Sequence, residues 1–210
     1  MPAGRSVLAF TLDRNCEEGE FGSPPCPPGR KTRDIIAATI WRVAGRGRCP
    51  NNSPIVRRCS RVAQAEGELS VLAVDAGRIA VRTESGVRLL TVDGIVLQEF
   101  DLTARAAKLS GNRLAVRTAD AVEVYDTGSG QRTARVTAAR HLRLEDLDRD
   151  ILVTASGRTV TLRKLSNGRT TTIRAGGTAR AQLERPGLFV AAGRRVTFTP
   201  MRNVLRRLGE

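Results

Sequence analysis

The side chains able to do acid–base, metal or nucleophilic chemistry are few, and their spacing restricts what they can do together. His141 is the single histidine among 210 residues, which removes multi-histidine metal sites and most imidazole relays at once. It stands between Arg140 and Leu142 at the start of an expected strand, the setting of an ordinary surface or partly buried histidine. Four carboxylates follow closely: Glu145, Asp146, Asp148 and Asp150. Their alternate spacing imitates the opening of a calcium loop, but Ile151 stands where that loop needs glycine and Gly157 where it needs the bidentate glutamate. The cluster is therefore expected to be a solvated turn between two strands. No nucleophile elbow or phosphate loop occurs, and Gly45-Arg46-Gly47 lacks the third glycine of a dinucleotide turn. No cofactor or metal is expected.

The four cysteines fall in the first third of the chain. Cys16 and Cys26 bracket a Pro/Gly-rich insertion, and Cys49 and Cys59 bracket a polar loop containing Pro50 and Pro54, with the same separation in both pairs. Sequence alone leaves all three pairings open. The local one, Cys16 with Cys26 and Cys49 with Cys59, would staple each loop at its neck and is preferred, each bridge worth about 2–3 kcal/mol by loop closure. Unpaired thiols and a four-cysteine zinc site are the alternatives. Zinc sites usually contain a pair about two to four residues apart, which neither pair here supplies. Disulfides imply an oxidising compartment, hence an expected location outside the cytoplasm, with the cytoplasm as the alternative. Met1 to Phe10 form no secretory signal and no apolar run is long enough to span a bilayer. The expectation is that a signal peptide lies in a missing N-terminal part.

The net charge of +14 is carried by arginine, the only lysines being Lys31, Lys108 and Lys164. That charge favours polyanions, so nucleic acid or an acidic glycan is kept as a partner class. The arginines are nevertheless spread through every segment, and aromatic residues for base stacking make up only 3%. A core of Val, Leu, Ile and Ala is expected, with Phe10, Trp41, Phe100, Tyr125, Phe189 and Phe198 as isolated large fillers.

What must position these residues is a repeat. Gly77-Arg78-Ile79-Ala80-Val81-Arg82-Thr83 returns as Gly111-Asn112-Arg113-Leu114-Ala115-Val116-Arg117-Thr118, then more loosely at 150–156 and 187–193. A fixed period of this size marks stacked supersecondary units, none able to bury its apolar face alone. Within a unit the pattern is period two, and paired strands flank tight turns such as Asp93-Gly94, a strong hairpin signal. Each unit opens with a further strand, near 69–74, 104–109, 141–144 and 179–183, giving four antiparallel strands per unit. The fold class is therefore all-β: a β-propeller of about five consecutive four-stranded units, near 1–66, 67–102, 103–138, 139–176 and 177–210. A β-sandwich is the runner-up, but it leaves the sets of four unexplained.

Val122-Glu123-Val124-Tyr125-Asp126 followed by Ser129-Gly130 resembles the third strand and turn of a WD-repeat-like propeller blade, with Tyr125 where tryptophan usually sits. The resemblance covers about 69–198 and is to divergent propellers of the kind common in bacterial proteins. It implies a binding scaffold.

Both ends depart from the pattern. The first unit shows strands two to four near 7–12, 34–43 and 55–62, interrupted by an insertion over 13–33. The last shows three strands and then a short amphipathic turn or helix near 203–208. The expectation is the C-terminal part of a longer, open propeller whose sheet edges invite self-association, with a five-bladed ring as the alternative. The function expected is non-enzymatic binding of a protein or glycan, with the insertion residues Glu17, Glu18, Glu20, Phe21, Arg30 and Lys31 as candidate contacts. A propeller dehydrogenase would be expected to carry tryptophan-bearing motifs that the lone Trp41 cannot supply, and a hydrolase acids on inner strands such as 104–109, which carry none. A propeller enzyme whose site lies in missing blades is the remaining alternative.

Overall fold

The computed structural model describes residues 6–15, 31–40, 56–65, 68–75, 77–138 and 141–209, with side chains described at 62–63 and from 68 onward. The chain divides into two compact units, 1–102 and 103–210.

The first unit holds two antiparallel sheets. One runs β1 (Ser6–Asn15), β2 (Lys31–Ile40), β3 (Val56–Ala65), and the other β4 (Leu69–Asp75), β5 (Arg78–Thr83), β6 (Gly86–Thr91), β7 (Val96–Phe100), each in chain order. Val62 of β3 joins Leu69, Ile79, Val81 and Leu90 in a buried aliphatic cluster between the two sheets. β4 lies chiefly against β1 and less against β2, so β1 holds the inner place that a first strand takes. This differs from the expected assignment: among the described residues the place without a strand is the outer one, not the inner one. A three-strand pattern carries no mark of which edge is bare, because only the neighbouring sheet decides that. The insertion is also shorter than expected. β1 continues to Asn15, which pairs with Lys31 at the start of β2, leaving 16–30 between them. Cys16, Cys26, Cys49, Glu17, Glu18, Glu20, Phe21 and Arg30 lie outside the described residues, while Cys59 stands in β3 opposite Ala38.

The second unit holds three sheets. Two are complete: β8 (Ala106–Ser110), β9 (Arg113–Arg117), β10 (Ala121–Asp126), β11 (Arg132–Thr137), then β12 (Arg143–Asp148), β13 (Ile151–Ser156), β14 (Thr159–Lys164), β15 (Thr170–Arg174). The last has β16 (Ala179–Glu184), β17 (Gly187–Ala192) and β18 (Arg195–Pro200), followed by helix α1 (Met201–Arg207). Second strands are buried along their length: Leu114, Ala115 and Val116 in β9, Ile151 through Ala155 in β13. A strand reads as a continuous apolar run when both of its faces are covered. β16 instead alternates, with Ala179, Ala181 and Leu183 inward and Arg180, Gln182 and Glu184 outward. α1 begins two residues earlier than expected and buries Val204 and, just beyond it, Leu208 in the cluster formed by the last two sheets.

The turn after β10 explains why Asp126 ends that strand. Its Oδ1 accepts from the Gly128 N–H at 3.0 Å, the Ser129 N–H at 2.8 Å and the Ser129 hydroxyl at 3.1 Å, and its Oδ2 from Asn112 Nδ2 at 2.7 Å. These donors, the Ser129 amide foremost, hold its carboxyl below the usual range. A folded-state pKa below the unfolded one stabilises in full above about pH 5 and fades as pH falls through the folded value. The melting-temperature gap between the native chain and Asp126→Ala is therefore expected to be widest near neutrality and to close between about pH 5 and pH 3. A gap that does not change with pH would show that the ionised carboxylate has no part in holding the turn.

Candidate functional site

The starts of β8, β12 and β16 meet at an open hollow of about 400 Å³ lined by Arg105, Ala106, Arg117, His141, Leu142, Arg143, Leu144 and Arg180. An arginine stands at or beside the start of each of these three inner strands, Arg105, Arg143 and Arg180, and β9 returns a fourth, Arg117, to the same end through its pairing with Ala106. Arg117 is only 5% exposed. Its Nε donates to the Leu142 carbonyl at 2.9 Å, and its Nη1 to the carbonyls of Thr118 and Ala121. Burial pulls its pKa down and the neighbouring Arg105 charge adds to this, while Asp120 opposes both. Arg143 donates through Nε to Glu145 at 2.7 Å and through Nη2 to the Ala179 carbonyl. Arg180, exposed over 71% of its side chain, reaches the same Glu145 oxygen at 3.6 Å.

The acidic cluster behaves differently from expectation. Only Asp150 lies in the turn between β12 and β13 as expected; Glu145, Asp146 and Asp148 are strand residues. Glu145 and Asp146 lie within β12, at a register shift between Leu144 and Asp146 that turns two consecutive side chains toward the next sheet. Glu145 Oε2 accepts from the Ala181 N–H at 3.3 Å, and Asp146 Oδ2 from the Leu183 N–H at 2.7 Å. Ala181 and Leu183 are two apart on β16, so both amides point to its one unladdered edge. The carboxylates thus satisfy donors that the β16 edge would otherwise leave bare. Burial pushes the Asp146 pKa up, with the Leu183 and Leu147 amides working against it. Asp150 meets Arg113 Nη2 at 3.0 Å and accepts from the Ser166 hydroxyl. The alternating spacing that resembled a calcium loop is that of strand residues running into the turn at Asp150. Among the described residues no group of three or more His, Cys, Asp or Glu is placed to hold a metal ion.

His141 is exposed at the lip of the hollow. The arginines around it escaped sequence reading because arginine occurs throughout the chain, and only the equivalence of strand starts could have singled them out. A second departure concerns the aromatic residues. Phe189, Val196 and Phe198 were expected among the core fillers or strand interiors, yet they are 37%, 67% and 48% exposed. They share one face of the last sheet, where Phe189 pairs with Phe198 and Ala191 with Val196, and the two rings lie 4.9 Å apart.

Neither a protein-family model nor a curated protein matches the sequence. Solved structures do. BamB from Moraxella catarrhalis superimposes with a TM-score of 0.52 at 13% identity, over 79% of this chain and 54% of that one. Hsv2 of Kluyveromyces lactis does so with a TM-score of 0.50 at 15% identity, over 62% and 45%. The fold is a β-propeller. The chain spans about half the length of the solved structures it matches, and its described strands form three four-stranded and two three-stranded antiparallel sheets. Among the described residues no helix is long and apolar enough to cross a membrane.

Proposed function

We propose that this chain is a non-enzymatic propeller scaffold that binds a partner protein on the bare face of its last blade. One observation carries the reading. Gly187-Leu188-Phe189-Val190-Ala191-Ala192 is written like β9 and β13, the strands with both faces covered, yet in β17 Phe189 faces solvent. A continuous apolar strand flanked by exposed Val196 and Phe198 is the composition of an interface core and not of a solvated sheet. The occupant this face fits is the face of another antiparallel sheet with aliphatic side chains, since within this unit the β12–β15 sheet is covered in that way by β16 and its neighbours. A non-enzymatic role is supported by the hollow, where guanidinium groups predominate and the nearby Glu145 is engaged by Arg143 and the Ala181 amide. The oxidising compartment and the disulfides stay part of this reading, resting on the cysteine spacing alone.

A photo-crosslinking residue at Phe198 is expected to give a discrete protein adduct in the native host. That adduct should be competed away by excess unlabelled chain and lost on adding Val196→Lys. The same adducts at Phe198 and at the exposed Arg174 on β15 would sink the proposal. An adduct consisting of a second copy of this chain would identify the partner as itself.

A further inference from the structure

The hollow at the starts of β8, β12 and β16 carries an imbalance that the protein does not resolve internally. Four guanidinium groups line it, and Glu145 is the carboxylate that pairs with any of them, through Arg143 and Arg180. Arg105 and Arg117 have no carboxylate partner among the described residues. Arg117 is nearly buried; three backbone carbonyls accept its hydrogen bonds, and the charge of Asp120 acts on it without a direct contact between the two side chains. The Arg117 Nε and Nη1 donate these bonds, and no donation from Nη2 is seen among the described residues. A largely buried cation with no carboxylate in direct contact is costly, and a ligand that supplies charge at contact distance recovers part of that cost on binding.

We infer that the hollow binds a compact, multiply charged oxyanion of the phosphate class, free or as the end of a phosphomonoester. Glu145 answers one of the four charges, and Asp120, itself paired with Arg135, acts on Arg117 without a direct contact, so more than one positive charge remains and a single carboxylate would leave part of the imbalance in place. A phosphate offers two negative charges and oxygens spaced for guanidinium forks. An extended polyanion fits less well, because the arginines converge on one hollow of about 400 Å³ and do not line a track. Arg117 and Arg143 are held by backbone and Glu145, so they form the fixed floor. Arg105 and Arg180 are exposed and supply the groups that close on the ligand.

Calorimetric titration of inorganic phosphate into the full chain, with chloride holding ionic strength constant, tests this. Saturable binding is expected, together with a rise in melting temperature over the chloride control. Arg105→Ser combined with Arg180→Ser should weaken binding by about tenfold or more, while Arg174→Ser, remote on β15, leaves it unchanged. Both substituted side chains are exposed, so folding is expected to survive, and the melting shift of the native chain stands as an independent measure. Glycerol phosphate binding more tightly than inorganic phosphate identifies an ester ligand, and the reverse a free ion. Equal melting temperatures in phosphate and chloride, or equal affinity in the native and doubly substituted chains, would overturn the inference.

Discussion

Glu145→Ala is expected to cost about 3–5 kcal/mol of the stability of the second unit, the range for breaking one side of a buried ion pair. The Glu145 side chain is only 6% exposed and does two things at once: Oε1 holds Arg143 Nε at 2.7 Å and Oε2 accepts the Ala181 amide. Alanine would leave the Arg143 guanidinium, 28% exposed, leaning on the Ala179 carbonyl alone, and the edge amide of Ala181 without an acceptor. Glu145→Gln keeps an acceptor and should cost roughly half as much, because the hydrogen bonds survive without the charge. Urea denaturation gives the magnitude, and amide hydrogen exchange gives the cause. Glu145→Ala should speed exchange at Ala181 more than at Leu183, and Asp146→Ala should do the opposite. Unchanged exchange at both amides in both variants would show that the carboxylates do not secure the β16 edge.

Comparably large losses are expected at two glycines that close two-residue hairpins. Gly187 follows Arg185-Pro186 and pairs with Glu184, with φ at +154°. A Cβ there would lie 2.1 Å from the Thr199 carbonyl oxygen and 3.0 Å from the Met201 nitrogen. Gly86 follows Glu84-Ser85 and pairs with Thr83, with φ at +142° and a Cβ position 2.2 Å from the Phe100 oxygen. The two carbonyl oxygens belong to strands already fixed in the sheet, β18 and β7, so relief requires moving a strand. Gly187→Ala and Gly86→Ala should each cost about 3 kcal/mol or more. Gly176→Ala, where a Cβ meets nothing within 4 Å and φ is not positive, should stay within about 0.5 kcal/mol. Equal melting temperatures across the three variants would contradict the close approach.

Much of this architecture was legible in the chain because period-two alternation and turn residues are local signals. The hairpin around Asp93-Gly94 and the strand ending at Asp126 needed no knowledge of distant neighbours. What escaped depended on packing between sheets. Glu145 and Asp146 read as solvated because, apart from Arg143 beside Glu145, their partners are the Ala181 and Leu183 amides, contacted through backbone, which leaves no trace in residue type. Phe189 and Phe198 read as core because their strands are apolar, and only the structure shows one face uncovered. The inner place of β1 was invisible for the same reason, since edge and interior differ by what lies alongside. The hollow was spread over 105, 117, 143 and 180, and a uniform arginine background hid the four positions that converge.

The joint between β12 and β16 is one-sided in its chemical demands. On one strand it requires two carboxylates at a bulge. On the other it asks only for amide hydrogens, which every residue except proline provides. Ala181 and Leu183 can therefore be exchanged for other residues of similar bulk without disturbing these bonds, whereas Glu145 and Asp146 cannot be replaced so freely. In such an array each blade would be constrained mainly by what it offers forward, and the receiving strand would be left to vary. Repeats joined this way can lose their likeness to one another position by position while the stack stays joined.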